Sequence, residues 1–126
     1  MPFISFPSWS ETKDDLVFRD GLYYPKFSKV PFTGQVEGLL QGSIKSGLIE
    51  GSWVVYYENG DLQYKGEFKN GVSEGPYVAY WDNGQLHSAG DYKDGKMEGP
   101  WVSYRINGSV WKERTGTYKD GVKISD

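Results

Sequence analysis

Large apolar residues recur along this chain every 24 residues, and polar or small residues lie between them. Trp53, Tyr77 and Trp101 form one such column. Within each unit the apolar and polar positions alternate, which is typical of a β-strand with two different faces. Pairs such as AsnGly follow the alternating runs and favour tight turns between antiparallel strands. The pattern predicts an all-β fold: an elongated up-and-down antiparallel meander, a single twisted sheet with two strands in each repeat of about 24 residues.

Two kinds of turn alternate in the repeat. In the first kind a glycine follows Asp, Ser or Asn, at Gly21, Gly47, Gly71, Gly95 and Gly121. The second kind is AsnGly, at residues 59–60, 83–84 and 107–108. We interpret each pair as a two-residue loop. The turns then determine which residues of neighbouring strands lie opposite each other.

This register places a glycine opposite each large ring. Trp53 lies opposite Gly66, and Tyr77 lies opposite Gly90. A glycine leaves room for a large ring to lie flat across the neighbouring strand. The same register pairs Tyr64 with Tyr77.

Proline interrupts the predicted strands at Pro76 and Pro100. Because proline cannot donate a hydrogen bond to a β-ladder, a bulge or a break is expected before Tyr77 and Trp101. The third unit also holds two additional residues within Val110 to Thr115. A slip of one residue at any of these places would exchange the two faces of the sheet.

The two faces carry different aromatic columns. One face bears aromatic residues that we interpret as structural, because they stack along the array: Trp53, Tyr77, Trp101, Phe68 and Tyr92. The opposite, partly polar face bears the candidate partner-binding residues: Tyr56, Tyr80, Tyr104, Val54, Val78 and Val102. Regularly spaced tyrosines on such a face suit either packing between repeats or a surface for a peptide or glycan, and both interpretations stay open.

The N-terminal residues match no repeat. We therefore divide the chain into a non-repeat N-terminal segment, residues 1–15, and a repeat domain, residues 16–126. Residues 1–11 are rich in apolar and aromatic side chains. They are expected either to cap the first strand or to be the remnant of a secretory signal peptide. The compartment stays open between the cytoplasm and, on the signal-peptide interpretation, the periplasm or secretion.

Composition and charge narrow the function classes. The net charge is −3 and the pI is about 5.2, so nucleic acid is not expected as a partner. The chain has no cysteine, which excludes a thiolate nucleophile and a thiolate metal site. It also has no run of about 18 apolar residues, so no helical membrane span is expected. Neither a cofactor nor a metal is expected.

No set of residues in the sequence has the pattern of a catalytic site. His87 is the only histidine, and a lone histidine on a strand is usually a surface residue. Glu50, Glu74 and Glu98 recur two strands apart, roughly 10 Å, which is wide for a catalytic pair. We interpret these glutamates as solvated turn residues and expect that the protein is not an enzyme.

The segments GSWVVYYENGDL, GPYVAYWDNGQL and GPWVSYRINGSV share Gly, Trp or Tyr, a second Tyr and AsnGly at fixed spacing. In this they resemble the variant MORN repeat. The block DLVFRDGLYYPKFSKVPFTGQVEG resembles the segment that precedes such repeats in a bacterial family of antitoxins from toxin–antitoxin systems. The resemblance covers about residues 14–126. It implies an elongated, non-enzymatic β-repeat that serves as a scaffold for protein contacts.

The leading hypothesis is therefore a binding or scaffolding module whose partner is a protein, either a toxin or a second copy of the chain. The alternative is binding of a carbohydrate, the cell wall or a phospholipid surface through the exposed aromatic columns. The turn lysines line one edge of the predicted sheet, but nearby glutamates offset their charge, so membrane contact has the weaker support. These lysines are Lys45, Lys69, Lys93 and Lys119.

Overall fold

The computed structural model describes residues 10–126. The expected N-terminal cap or signal-peptide remnant, residues 1–11, therefore lies almost wholly outside the described residues. The strands of the described part are β1 (Ser10–Thr12), β2 (Leu16–Arg19), β3 (Leu22–Pro25), β4 (Gly34–Glu37), β5 (Leu40–Lys45), β6 (Leu48–Tyr56), β7 (Leu62–Lys69), β8 (Val72–Tyr80), β9 (Leu86–Lys93), β10 (Lys96–Ser103), β11 (Gly116–Lys119) and β12 (Val122–Ser125). A short 3-10 helix, Lys13–Asp15, separates β1 from β2.

Ten of these strands form one sheet in the order β1, β4, β5, β6, β7, β8, β9, β10, β11, β12. From β4 onward each strand pairs antiparallel with the next, whereas β1 pairs parallel with β4. The strands β2 and β3 form a separate hairpin. The predicted all-β meander is thus confirmed. Within residues 10–126, no helix has the length and apolar character needed to cross a membrane.

Turns of the first kind have the predicted geometry. At the β2–β3 turn, Asp20 has a φ of 51° and Gly21 a φ of 80°. Positive φ at both loop residues defines the type I′ turn, whose twist matches that of the flanking strands. The other four turns of this kind also have positive φ at both residues, at Ser46 and Gly47, Asn70 and Gly71, Asp94 and Gly95, and Asp120 and Gly121.

Turns of the second kind differ from the prediction. Gly60 has a φ of 93°, but Asn59 does not have a positive φ. The Tyr57 N–H donates to the Asp61 carbonyl and the Gly60 N–H donates to the Tyr57 carbonyl, so the loop has three residues, 58–60. This is a type I turn followed by a left-handed glycine, a common hairpin loop. The interpretation of Asn59 and Gly60 as a two-residue loop was wrong.

A bulge lies beside each interrupting proline, as predicted. Phe68 pairs with Ser73, but Gly66 pairs with Tyr77, so β8 holds two additional residues next to Pro76. Because side chains alternate with a period of two, an insertion of two residues preserves the faces of the strand. The aromatic columns therefore keep the sides that the sequence pattern predicted.

The bulges do change which residues lie opposite each other. Tyr64 pairs with Ala79, so the predicted pairing of Tyr64 with Tyr77 was wrong by two positions. An equivalent shift separates the β9–β10 pairs on either side of Pro100. Trp53 does pair with Gly66, as predicted.

The additional residues of the third unit fold back onto β10. Tyr104 and Val110 form an isolated bridge, and the chain then reaches β11 through a turn at residues 111–114. The Thr115 hydroxyl accepts a hydrogen bond from the Ser103 N–H and donates one to the Ser103 carbonyl, with distances of 2.9 and 3.0 Å. Ser103 is only 2% exposed, and these bonds satisfy its backbone polar groups there.

The β2–β3 hairpin covers the first part of one face of the large sheet. The buried cluster beneath it consists of Phe32, Val36, Ile44, Trp53 and Val55, and Leu16 and Tyr23 of the hairpin pack against it. The hairpin is also joined to the sheet by backbone hydrogen bonds. In one of them the Tyr23 N–H donates to the Gly47 carbonyl at 2.9 Å. The core is therefore concentrated at the N-terminal end of the array.

Candidate functional site

The structural aromatics form a continuous row on the hairpin-covered face. Trp53 and Trp101 are 3% and 4% exposed, whereas Tyr77 and Tyr92 are half-buried. The Tyr77 and Tyr92 rings meet edge to face with centroids 5.4 Å apart, and Tyr92 meets Trp101 at 5.1 Å. Tyr64 continues the row toward the hairpin, 5.8 Å from Tyr77. These contacts give the rings a packing role between repeats.

Glycines make room for these rings. Tyr77 lies between Gly66 and Gly90 in the register. A Cβ added at Gly90 would overlap the Trp101 ring, whereas one added at Gly66 would lie 3.4 Å from the Tyr77 ring, an ordinary contact distance. The Trp101 Nε1 also donates to the Asp91 carbonyl at 2.9 Å, which holds the indole across the neighbouring strand.

Burial raises the pKa of the tyrosine hydroxyl groups in this row. It raises the pKa of Tyr77 to about 12, with smaller contributions from Tyr92 and Tyr64. Burial likewise raises the pKa of Tyr64 and of Tyr92. The row is therefore an uncharged surface with hydroxyl groups near neutral pH.

The opposite face carries the valine column. Val54 and Val78 both pair with Lys65, and Val78 and Val102 both pair with Ala89. Side chains directly opposite each other in an antiparallel pair lie on the same face. The three valines are half-buried and recur about every 10 Å, the width of two strands.

The tyrosine column runs parallel to the valine column. Each tyrosine is half-buried and pairs with an apolar residue that follows the next AsnGly loop. The pairs are Tyr56 with Leu62, Tyr80 with Leu86, and Tyr104 with Val110. The two-residue interpretation of the AsnGly loops missed these partners, because the additional loop residue moves each of them by one position. The structure thus brings the six candidate residues together in two adjacent rows.

Aromatic side chains from neighbouring turns hold this column in place. The Tyr57 hydroxyl donates to the Tyr80 carbonyl at 2.6 Å. One repeat later, the Trp81 Nε1 donates to the Tyr104 carbonyl at 2.9 Å. Each bond therefore connects one unit of the tyrosine column to the next, which keeps the spacing of the tyrosines regular.

His87 lies in an aromatic stack beside the same column. Its ring centroid is 4.2 Å from that of Trp81 and 6.5 Å from that of Trp111. Burial, with a smaller contribution from the Arg114 charge, lowers the pKa of His87. The imidazole is thus neutral near pH 7 and packs as an aromatic ring. The described residues contain no group of three or more His, Cys, Asp or Glu side chains that could hold a metal ion.

The repeated glutamates are not simply solvated, so their interpretation from the sequence was wrong. Each Oε1 accepts a hydrogen bond from a backbone N–H at the first residue of a type I′ turn in the next repeat. The bonds join Glu50 to Asn70, Glu74 to Asp94 and Glu98 to Asp120, with lengths of 2.9, 2.9 and 3.2 Å. At the first such turn of the large sheet, the Thr33 hydroxyl accepts from the Ser46 N–H at 2.7 Å. The glutamates therefore link successive turns along one edge.

Comparison with known proteins identifies the repeat in the middle of the array. Residues 49–70 and 73–94 each match the MORN repeat variant. The two matches cover nearly all of β6 to β9 and include the first two tyrosines of the column. No curated protein matches the chain. The centre of this sheet is thus built of MORN-type repeats of the variant kind.

Proposed function

We propose that the protein is a non-enzymatic binding module that takes a protein partner on the face bearing the tyrosine and valine columns. The observation that carries this proposal is the pair of adjacent rows that repeat along the array. The opposite face is partly covered by the β2–β3 hairpin, whereas this one presents half-buried rings and valines in succession. Such rows offer a partner apolar contact and hydroxyl groups together.

The chemistry of these rows suits a protein. Tyrosine supplies a large contact area at a low cost in conformational entropy, and it is enriched where proteins bind one another. A spacing of about 10 Å between equivalent positions allows one partner surface to contact several units at once. No set of residues in the sequence has the pattern of a catalytic site, which supports a binding role over an enzymatic one.

A toxin is the first partner to test. The resemblance of residues 15–38 to the block that precedes the repeats in an antitoxin family supports this choice. An antitoxin of this kind would act by occupying the surface of its toxin. The product of a neighbouring toxin gene is therefore the most direct binding candidate.

The test is a triple substitution of Tyr56, Tyr80 and Tyr104 by Ser. We expect the variant to lose at least 10-fold in affinity for the partner, because tyrosine is enriched among the interface residues whose truncation costs more than about 1 kcal/mol. Binding is measured by capture of the co-expressed toxin candidate and by identification of proteins retained from extracts of the source cells. Circular dichroism checks that the variant remains folded.

Ile106→Ser is the matched control, since Ile106 is exposed but lies in a loop outside the two columns. It is expected to leave capture unchanged. Capture that survives the triple substitution would contradict the proposed face. Saturable quenching of tryptophan fluorescence by cell-wall glycans, or sedimentation with phospholipid vesicles, would favour the alternative ligand classes if it is lost in the triple variant.

A further inference from the structure

Phe27 occupies an unusual position in the loop after β3. Its side chain is fully exposed, and its φ is 64°. The Ser28 N–H donates to the Pro25 carbonyl at 3.1 Å, so Phe27 is the third residue of a four-residue turn. A positive φ at this position is the mark of a type II turn, where glycine or asparagine is preferred. A bulky residue in this conformation is strained, and here its ring gains no burial in return.

The loop is nevertheless held in place by specific contacts. The Arg19 guanidinium donates to the Ser28 carbonyl at 2.7 Å and lies over the Tyr24 ring, 3.9 Å from its centroid. The Val30 N–H donates to the Ser28 hydroxyl at 3.0 Å. The phenyl ring is therefore presented on a well-supported turn. Strain that the fold maintains in this way points to a function for the strained residue.

A cavity that suits a phenyl ring lies at the other end of the same hairpin. It has a volume of about 190 Å³ and is lined by Phe18, Tyr23, Leu48, Ile49 and three turn glycines. An apolar cavity of about 150 Å³ accommodates benzene. Phe18 forms part of the wall and is 61% exposed, so the cavity opens to a further apolar surface.

We call the exposed Phe27 side chain on its turn the tip. The tip and the cavity of one molecule do not meet. Phe27 follows the end of β3, whereas the cavity lies at the Gly21 turn where β3 begins. Four residues of extended chain separate these ends by about 13 Å. Two hairpins related by a two-fold axis, lying antiparallel, would place each Phe27 at the cavity of the other molecule. A contact of this kind satisfies both sites at once, because the interface is self-complementary.

We propose that two copies of this chain associate by reciprocal insertion of Phe27 into the cavity at the Gly21 turn. The occupant is a second copy because tip and cavity both belong to this chain and match in size and apolar character. Lys26 and Lys29 flank the tip, and the chain as a whole carries a net charge of −3. This association uses a different surface from the tyrosine column and does not depend on the proposed partner.

An anionic membrane is the less favoured occupant. Only two lysines flank the phenyl ring, while the whole chain carries a net charge of −3, which a negatively charged surface repels. One ring would also give weak anchoring in a bilayer. The same ring should contribute more binding free energy in a preformed cavity, because aromatic side chains in fitting pockets commonly form the centre of an interface.

The experiment is sedimentation equilibrium of the purified chain over a wide concentration range. We expect a monomer–dimer equilibrium with a Kd on the order of 100 μM, since the contact buries few side chains. Phe27→Gly should raise the Kd at least 10-fold. It should not lower the melting temperature, because glycine adopts this φ without strain. Ile106→Gly, at another exposed apolar residue, should leave the Kd unchanged.

A mixing experiment tests the reciprocal contact. Phe18→Lys places a charge at the mouth of the cavity and should also weaken self-association. A mixture of Phe27→Gly with Phe18→Lys retains one intact tip and one intact cavity, so it should associate more strongly than either variant alone. A wild-type chain that remains monomeric at millimolar concentration would overturn the proposal, as would a dimer that Phe27→Gly leaves intact. Vesicle binding by phosphatidylserine membranes, lost in Phe27→Gly without any dimer, would assign the tip to lipid instead.

Discussion

The indole of Trp101 occupies the space in which a side chain at residue 90 would begin. A Cβ at Gly90 would overlap the Trp101 ring, so this glycine is required by packing and not by a positive φ. The Trp101 indole is buried there and bonded to the Asp91 carbonyl. At the residue scale, therefore, the array is held together by rings that lie flat across neighbouring strands.

Gly90→Ala should lower the free energy of unfolding by about 1–3 kcal/mol, the usual cost of forcing an additional methyl group into a packed site. Gly66→Ala is the matched control, because it changes the equivalent position of the preceding repeat. There the added Cβ meets the Tyr77 ring at 3.4 Å, so the effect should stay within about 1 kcal/mol. Urea unfolding followed by tryptophan fluorescence measures both values. Equal losses in the two variants would show that ring overlap is not the cause.

The sequence predicted these pairings only in part. With the AsnGly pairs interpreted as two-residue loops, the sequence placed Trp53 opposite Gly66 and Tyr77 opposite Gly90. Both pairings are present because a register shift beside each loop offsets the additional loop residue. The sequence did not reveal that Gly66 also lies opposite Tyr77, because that pairing depends on the bulge at Pro76. Bulge length is decided by the local balance of backbone bonding and packing, which a repeat pattern does not specify.

At the element scale, the type I′ turns are joined to one another by the glutamate contacts. Each turn leaves the N–H of its first residue directed away from its own hairpin, and a carboxylate of the preceding repeat accepts it. A hydrogen bond that involves a charged acceptor is stronger than one between neutral groups. Each of these turns is therefore stabilised by a glutamate of the preceding repeat.

Glu74→Ala should destabilise the protein by about 0.5–1.5 kcal/mol, because the Asp94 N–H loses its acceptor. Glu74→Gln keeps an oxygen at the same position and should recover most of that loss. Thermal unfolding of the two variants gives the comparison. Hydrogen exchange at the Asp94 amide supplies a local readout, since exchange should become faster in the alanine variant alone. An unchanged exchange rate would contradict the role of this contact.

The two kinds of turn show what local sequence can and cannot specify. AspGly after β2 and AsnGly after β7 were correctly predicted as two-residue loops, and both form type I′ turns. The AsnGly after β6 forms a longer loop, in which the Asn59 side chain accepts a hydrogen bond from the Asp61 N–H at 2.8 Å. An asparagine side chain that bonds two residues ahead replaces a backbone turn contact, so the same dipeptide supports both geometries.

At the scale of the whole molecule, each repeat contacts mainly its neighbours. Removal of one complete repeat should therefore preserve the pairing between the strands that remain. Deletion of residues 66–89, which are 24 residues, joins Lys65 to Gly90. Trp53 would then lie opposite Gly90, and Glu50 would accept from the Asp94 N–H. We expect a folded, less stable protein with a β-sheet circular dichroism spectrum and a cooperative thermal transition.

Deletion of one residue fewer, residues 66–88, is the matched control. It keeps Ala89 and shifts the following strands by one position, so apolar and polar faces are exchanged beyond the junction. This variant should be largely unfolded or aggregated. Comparable stability of the two deletions would contradict the role of the repeat length in specifying the faces.

Sequence alone predicted the array and the residues of the candidate face. It did not predict where the β2–β3 hairpin packs or how Phe27 is presented. The tyrosine and valine columns follow from the period, and the structure brings them into adjacent rows. The placement of the β2–β3 hairpin over Trp53 depends on tertiary packing between distant segments. Phe27 also escaped prediction, because turn preferences favour glycine at its position.

The order of strands has a mechanical consequence. In an antiparallel sheet the backbone hydrogen bonds run perpendicular to the strands, and here they run along the array from β4 to β12. Tension applied to the two ends would load the strand pairs in series, so the weakest pair would open first. Each opened hairpin would add its contour length while the others remained closed. The molecule would lengthen stepwise under force, as an extensible tether does.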